Sequence, residues 1–277
     1  MFAPSLFRRS ALRTFQPLAR SPYVNISRRS YHDRPSLYHE SQFTHEGIPD
    51  LFSPKAFNTA WTEYQQGLVE KLNSLTAGHE LEDKSAFEIS ILTSRQADLA
   101  ATFNYASQAH NNHFFFDALS PTQTKIPDRI LGYLPDTFAS PESMRAEMLA
   151  TAEAMFGSGW VWLVLDMGKR LRILCTYNAG SPYGQAHRRQ ETDMNTTGKL
   201  QRGAEYSVAT ARANKPYGAQ EFIPLMNINC WEHAWIVDYG VRGKPEYLKN
   251  LWERIDWEKV DSRLGPIRPP SRAMYGA

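Results

Sequence analysis

Two apolar runs near the middle of the chain predict a β-hairpin. Residues 160–165 and 171–175 are short, apolar and rich in aromatic and branched side chains. The sequence 166–169, which contains an aspartate and a glycine, separates them. Short runs of this composition with a turn between them are typical of two antiparallel strands.

Two other segments carry signals for the start of a helix. Ser140 is followed by Pro141, and Pro245 opens a second segment, and proline is favoured in the first turn of a helix. We expect the first helix to end near Gly157 or Gly159. The predicted buried faces consist of Met144, Met148, Ala152 and Met155 in the first helix, and of Leu248, Leu251, Trp252 and Ile255 in the second.

The composition is that of a folded globular protein with one or two domains. The chain has 277 residues, of which 42% are hydrophobic and 12% aromatic, enough to bury a sizeable core. No apolar run reaches the roughly 20 residues that a membrane span needs, so we expect no contact with a membrane. Cys175, in a predicted buried strand, and Cys230 are too few for a disulfide-stabilised secreted fold. We expect both to pack in the interior, and a redox role for Cys230 stays open.

The first 30 residues differ from the remainder in charge. They contain six arginines, several serines and no acidic residue, a composition typical of a mitochondrial transit peptide. Without them, 25 basic residues face 29 acidic ones, which gives a net charge of −4. The sequence therefore predicts a protein of the mitochondrial matrix. The alternative is a disordered basic tail on a cytosolic protein.

The sequence NCWEHAWIVDY at 229–239 carries the most specific motif. It resembles the C-terminal signature of the iron/manganese superoxide dismutases, D-x-W-E-H-A-[YF], in which the Asp and the His are two of four metal ligands. His233 is in register with that His, but Asn229 stands where the Asp belongs. A neutral amide is a much weaker ligand for such a metal than a carboxylate.

The other two ligand positions of the family are also replaced. Aligning the phenylalanines at 114–116 and the sequence at 119–121 on the family's second-helix motif places Asn112 in one ligand position. His113 falls one residue late, which on a helix is a rotation of about 100°. Counting back from residues 72–73 on the preceding helix places Ala60 at the remaining ligand and Tyr64 at a neighbouring active-site histidine. The resemblance thus implies a family member without a metal cofactor.

His110 and His113 offer a second candidate for metal binding. Two histidines three residues apart can share a helix face and ligate a metal. Since the aligned fold brings no third or fourth ligand near them, we expect a structural role for the pair.

Weaker matches extend the resemblance over residues 48–260. It implies an α+β fold of the iron/manganese dismutase type, with an N-terminal helical hairpin and a C-terminal α/β domain that contains a small antiparallel sheet. The predicted organisation is a transit peptide at 1–30, an extension at 31–47, the hairpin domain at 48–121, the α/β domain at 122–260 with an insertion at 183–221, and a basic, proline-rich tail at 261–277.

Glu232 and His233 have a second role in the family. There the Glu reaches across a dimer interface to the ligand His of the other subunit, so the resemblance implies a dimer that pairs through these two residues. A buried charge-assisted hydrogen bond can hold two chains in register without a metal. The alternative is that both residues are relics packed in a monomer.

The insertion and the tail concentrate positive charge on a protein that is otherwise acidic. Arginine suits phosphate oxygens, so these segments are candidates for RNA contacts. The candidate residues are Arg188, Arg189, Lys199, Arg202, Arg212, Lys215, Arg268 and Arg272, and Arg263 repeats the pattern in the tail. The alternative is a solvated loop and a frayed tail.

Together these features resemble the metal-free dismutase-like proteins of the fungal mitochondrial ribosomal small subunit. That resemblance implies a non-catalytic structural component, bound to the small-subunit rRNA and ribosomal proteins, that forms a heterodimer with a related dismutase-like chain. One alternative is a divergent, active iron/manganese superoxide dismutase of the matrix. Another is a soluble mitochondrial scaffold without any contact to RNA.

Overall fold

The computed structural model describes residues 32–184, 186 and 221–265. Helices and strands are numbered below through this part of the chain. The candidate RNA-contacting residues of the insertion and the tail, and the segment 1–30, lie outside it. No helix in the described ranges is long and apolar enough to cross a membrane.

The N-terminal half is a set of helices around a hairpin. The helices are α1 (Glu40–Glu46), α2 (Pro54–Phe57), α3 (Tyr64–Thr76), α4 (Ala86–Thr93) and α5 (Ala100–Phe116), with a π-helical segment at Asn58–Glu63 and a 3₁₀ turn at Ala97–Leu99. Helices α3 and α5 pack against each other, as do α4 and α5. Helix α1 lies in the predicted extension, for which the sequence gave no helix.

Serine caps fix where several helices begin. The Ser53 hydroxyl accepts a hydrogen bond from the amide of Ala56 at the start of α2. Ser85 and Glu88 form a reciprocal capping box at the start of α4. Such caps satisfy amide groups that have no partner inside the helix.

The C-terminal half contains a small sheet covered by helices. After α6 (Asp128–Leu131) and α7 (Pro141–Ala154) come strands β1 (Gly159–Asp166), β2 (Leu171–Tyr177) and β3 (Phe222–Asn229). The strand order is β2-β1-β3 and both pairings are antiparallel. The chain continues into α8 (Glu232–Tyr239), α9 (Lys244–Trp252) and α10 (Trp257–Ser262). The predicted α+β fold and β-hairpin are confirmed.

One apolar core joins the two halves. Trp61 and Phe116 of the helical half and Trp160 and Trp162 of the sheet are all fully or almost fully buried in the same cluster. Strand β1 is buried along almost its whole length because helices and strands cover both of its faces. This packing explains why its sequence is continuously apolar rather than alternating.

Three expectations from the sequence are wrong in detail. Helix α7 ends at Ala154, short of the predicted Gly157 or Gly159, because Met155 already has an extended backbone. Cys175 is exposed rather than buried, because β2 is an outer strand of the described sheet.

Arg263 is the third correction. It belongs to the folded core and not to a basic tail. Its guanidinium donates to the carbonyl oxygens of Leu225 (2.8 Å) and Phe114 (2.9 Å) and to Asp117 (3.2 Å). It also lies 3.5 Å from the centre of the Phe114 ring. Arg263 is therefore unavailable to RNA, and helix α10 runs past the predicted domain boundary at residue 260.

Candidate functional site

Two hydrogen bonds join the helices of the hairpin, one turn apart. The Asn112 amide donates to the carbonyl oxygen of Ala60 at 3.3 Å, and the Gln108 amide donates to the Tyr64 hydroxyl at 3.1 Å. The π-helical segment contains Ala60, and Tyr64 follows it directly. π-Helical turns are rare and occur frequently at functional sites. The two replaced ligand positions of the hairpin thus face each other, as the alignment predicts.

A glutamine that the sequence analysis missed fixes the Asn112 side chain. Gln65 Nε2 donates to the carbonyl oxygen of Ala109 at 2.9 Å, so its Oε1 is the acceptor that receives Asn112 Nδ2 at 3.0 Å. Both side chains are almost completely buried. The signal was a polar residue at a position that the helix buries, which the apolar pattern alone does not reveal.

Gln108 connects this pair of helices to the sheet. Its Oε1 accepts a hydrogen bond from the Trp160 indole at 3.3 Å. Trp160 in β1 is the register partner of Asn229 at the end of β3. Gln108 was also not assigned a role from the sequence, although it lies one helical turn before Asn112.

Asn229 and His233 come from the end of β3 and the first turn of α8. Asn229 Oδ1 accepts from the backbone amide of Trp231 at 2.9 Å, and the Tyr247 hydroxyl donates to the Asn229 carbonyl at 3.0 Å. The His233 ring lies on the Tyr64 ring, with centroids 3.9 Å apart. All four aligned positions therefore converge between the hairpin and the sheet.

Burial keeps the ionisable groups of this site neutral. It lowers the pKa of His233 to about 4 and raises the pKa of Tyr64 to about 12, the latter against a smaller opposing effect of the hydrogen bond from Gln108. A low-dielectric environment disfavours the charged form of each group. At neutral pH the site therefore presents amides, a phenol and an uncharged imidazole.

This set of donors does not fit the redox metal of the dismutases. Such a metal needs several imidazole and carboxylate ligands in one geometry. Ala60 has no donor atom, Asn112 uses its amide nitrogen on protein acceptors, and only His233 offers an imidazole. Residues 32–184, 186 and 221–265 contain no group of three or more His, Cys, Asp or Glu side chains that could hold a metal ion.

His110 and His113 belong to a neighbouring region. The His110 ring nitrogen Nε2 is 2.8 Å from the Tyr183 hydroxyl, and its ring contacts Phe87. Burial lowers the pKa of His110 to about 3, with a smaller effect from His113. Both histidines line a half-open cavity of about 450 Å³ under residues 32–35. A bond to Tyr183 and ring packing support the structural role expected for this pair.

Cys230 is a buried thiol next to Asn229. It is 1% exposed, and burial raises its pKa to about 12. The thiolate is the reactive form of cysteine, so Cys230 is a packing residue at neutral pH.

The remaining candidate surface is the start of α8. Glu232 is exposed and lies in the first turn of the helix, where a carboxylate is favourable. His233 beside it is half-buried, and its Nε2 has no hydrogen-bond partner among the described residues. The carboxylate of Glu232 is thus free to reach a partner chain.

Comparisons with known proteins match this architecture. The family model for the C-terminal domain of the iron/manganese superoxide dismutases matches residues 128–192 and 198–263. The small ribosomal subunit protein mS43 of Schizosaccharomyces pombe is 34% identical over 244 residues, which are 85% of each chain.

Two further relatives show the same range of functions. The superoxide dismutase (Fe) of Helicobacter pylori is 28% identical over 80% of this chain and 85% of its own length. The small ribosomal subunit protein mS42 of Schizosaccharomyces pombe is 26% identical over 76% of this chain and 86% of its own length. The chain therefore belongs to the iron/manganese superoxide dismutase family, as its motif around His233 predicts.

Proposed function

We propose that this protein is a non-catalytic structural component of the mitochondrial ribosome small subunit. The observation that carries the proposal is the 34% identity to small ribosomal subunit protein mS43 over 85% of both chains. The replacement of three of the four aligned ligand positions, by Ala60, Asn112 and Asn229, supports the same assignment. In this account the dismutase fold serves as a scaffold and has no dismutase activity.

The surface at Glu232 and His233 is the proposed contact with a second dismutase-like chain. The exposed Glu232 carboxylate can accept a hydrogen bond from an imidazole of the partner, and His233 can donate Nδ1–H to a partner carboxylate. Both mS43 and mS42 are similar to this chain, so two related proteins of this kind exist in one organism. A heterodimer with a related chain is therefore the favoured arrangement.

Attachment to RNA is assigned to local positive charge. The chain without its first 30 residues has a net charge of −4, which repels bulk RNA. Contacts must then come from basic extensions such as the insertion at 183–221 and the end of the tail. The arginine-rich first 30 residues support delivery to the mitochondrial matrix.

Sedimentation tests this function. A tagged copy of the full chain, expressed in fungal cells, should co-sediment with the mitochondrial small subunit in gradients and remain there in moderate salt. After EDTA separates the subunits, the protein should stay with the small one. A protein that sediments only as a free dimer would instead support a scaffold unconnected with RNA, and the proposal would then be wrong.

A further inference from the structure

Asn112 and Asn229 each have one amide atom fixed by hydrogen bonds and the other buried without a partner among the described residues. Asn112 Nδ2 donates to two oxygens, of Ala60 and Gln65, so its orientation is set and Oδ1 remains. Asn229 Oδ1 accepts from the Trp231 amide, so Nδ2 remains. Turning either amide over would place like atoms against each other. One acceptor and one donor are thus left over, both completely buried.

These two atoms belong to one enclosed space. Asn112 lies one helical turn after Gln108, and Gln108 is bonded both to Tyr64 and to Trp160. Trp160 pairs with Asn229 in the sheet, and the Tyr64 ring covers the His233 ring. The third buried atom without a partner in the described ranges, His233 Nε2, therefore lies on the same space.

The lining decides the chemical class of the occupant. The side chains named here are amides, a phenol, an indole and an uncharged imidazole, so an ion would lose its hydration without gaining a counter-charge. An apolar group would leave three buried polar atoms without a partner. A small neutral molecule that both donates and accepts hydrogen bonds satisfies all three.

We propose that the position which holds the metal in the dismutases is a buried water site in this protein. The water donates its hydrogens to Asn112 Oδ1 and His233 Nε2 and accepts from Asn229 Nδ2. About three hydrogen bonds is the usual number for a buried water. The contact to His233 rests on the proposed pairing, because a partner carboxylate on Nδ1–H leaves Nε2 as an acceptor. The contacts to the two asparagines are independent of that pairing.

A crystal structure of the purified, unpaired chain at high resolution tests the site. We expect an oxygen peak at hydrogen-bonding distance, roughly 2.7 to 3.2 Å, from Asn112 Oδ1 and Asn229 Nδ2, without anomalous scattering from a metal. Direct pairing of the two asparagines, or a metal ion between them, would overturn the proposal. The variant Asn112→Leu, which lacks Oδ1, should lose the peak. If that variant does not fold, the structure of the unsubstituted chain still decides.

NMR separates a failure of the water site from a failure of the pairing. In the ¹⁵N-labelled chain, the Asn229 side-chain amide should show a cross-relaxation peak to a long-lived water, whether or not the partner is bound. The His233 ¹⁵N shifts should report a proton on Nδ1 when the partner binds. Loss of the water peak alone overturns the buried site, whereas unchanged His233 shifts on addition of the partner overturn the interface and leave the two asparagine contacts standing.

Discussion

The ring of Tyr64 lies on the ring of His233, with a centroid separation of 3.9 Å and an interplanar angle of 34°. In the aligned family the corresponding histidine is held by a metal. Here Tyr64 holds it by packing, and Gln108 in turn holds the Tyr64 hydroxyl. The histidine beside the proposed interface is therefore positioned by the protein alone.

The first prediction concerns Glu232. Replacing it with alanine should leave a buried imidazole of the partner without its acceptor and weaken association by about 2–5 kcal/mol. Glu246→Ala is the matched control, because Glu246 is also an exposed carboxylate in the first turn of a helix. Analytical ultracentrifugation with the related chain measures the affinity. Equal affinities for both variants would place the interface elsewhere.

Arg263 is predicted to be a determinant of stability and not of RNA binding. Arg263→Ala leaves the carbonyl oxygens of Leu225 and Phe114 without their donor and takes a cation from Asp117, which keeps Lys259 at 2.9 Å. We expect the free energy of unfolding in urea to fall by about 3–5 kcal/mol. The exposed Arg242→Ala should change it by less than about 0.5 kcal/mol. A stable Arg263→Ala protein would contradict its place in the core.

The buried histidines should make the protein less stable in mild acid. Folding lowers the pKa of His233 to about 4 and of His110 to about 3, whereas an unfolded histidine titrates near 6.5. The unfolded state therefore binds more protons below pH 6.5, and stability is lost as the pH falls through this window. Each group contributes about 1.4 kcal/mol per pH unit.

Urea unfolding at pH 7, 6 and 5 measures this dependence. His233→Gln should reduce the slope by the share of one group, and His45→Gln, at an exposed position, controls for the loss of a histidine as such. A free energy of unfolding that is flat from pH 6.5 to 5 would show that these rings are not buried.

Deleting residues 184–220 should separate folding from attachment. The deletion keeps Tyr183, which bonds His110 at 2.8 Å, so the core at the base of the insertion stays intact. We expect a stable chain that still pairs but leaves the small subunit at lower salt, with the salt slope reduced by roughly 0.7 to 0.9 per lost phosphate contact. Release at an unchanged salt concentration would mean that protein neighbours provide the attachment.

Local patterns in the sequence predicted the elements but not their surroundings. The two apolar runs specified the hairpin of β1 and β2, because a strand buried on both faces must be apolar throughout. The same pattern misplaced Cys175, since a strand at the edge of the described sheet has an open face. Arg263 was assigned to a basic tail because composition does not show that Asp117 and two carbonyl groups surround it.

The site was found through spacing and completed only by the structure. The motif placed Ala60, Asn112, Asn229 and His233 together because the family's ligand positions are fixed in register. Gln65 and Gln108 carry no motif of their own, and their roles depend on contacts 44 residues away, at Ala109 and Tyr64. Such pairings become visible only when two helices are packed.

Metal analysis of the purified chain, lacking its first 30 residues, tests the central claim most directly. Cells grown with added manganese and iron should yield protein with neither metal in stoichiometric amount and without dismutase turnover, because His233 is the only one of the four aligned positions with an imidazole or carboxylate. The variant Ala60→His/Asn112→His/Asn229→Asp, which restores the family's ligand types, is the matched positive control and should gain metal if it folds. About one tightly held manganese or iron per unsubstituted chain, together with turnover of superoxide, would contradict the account.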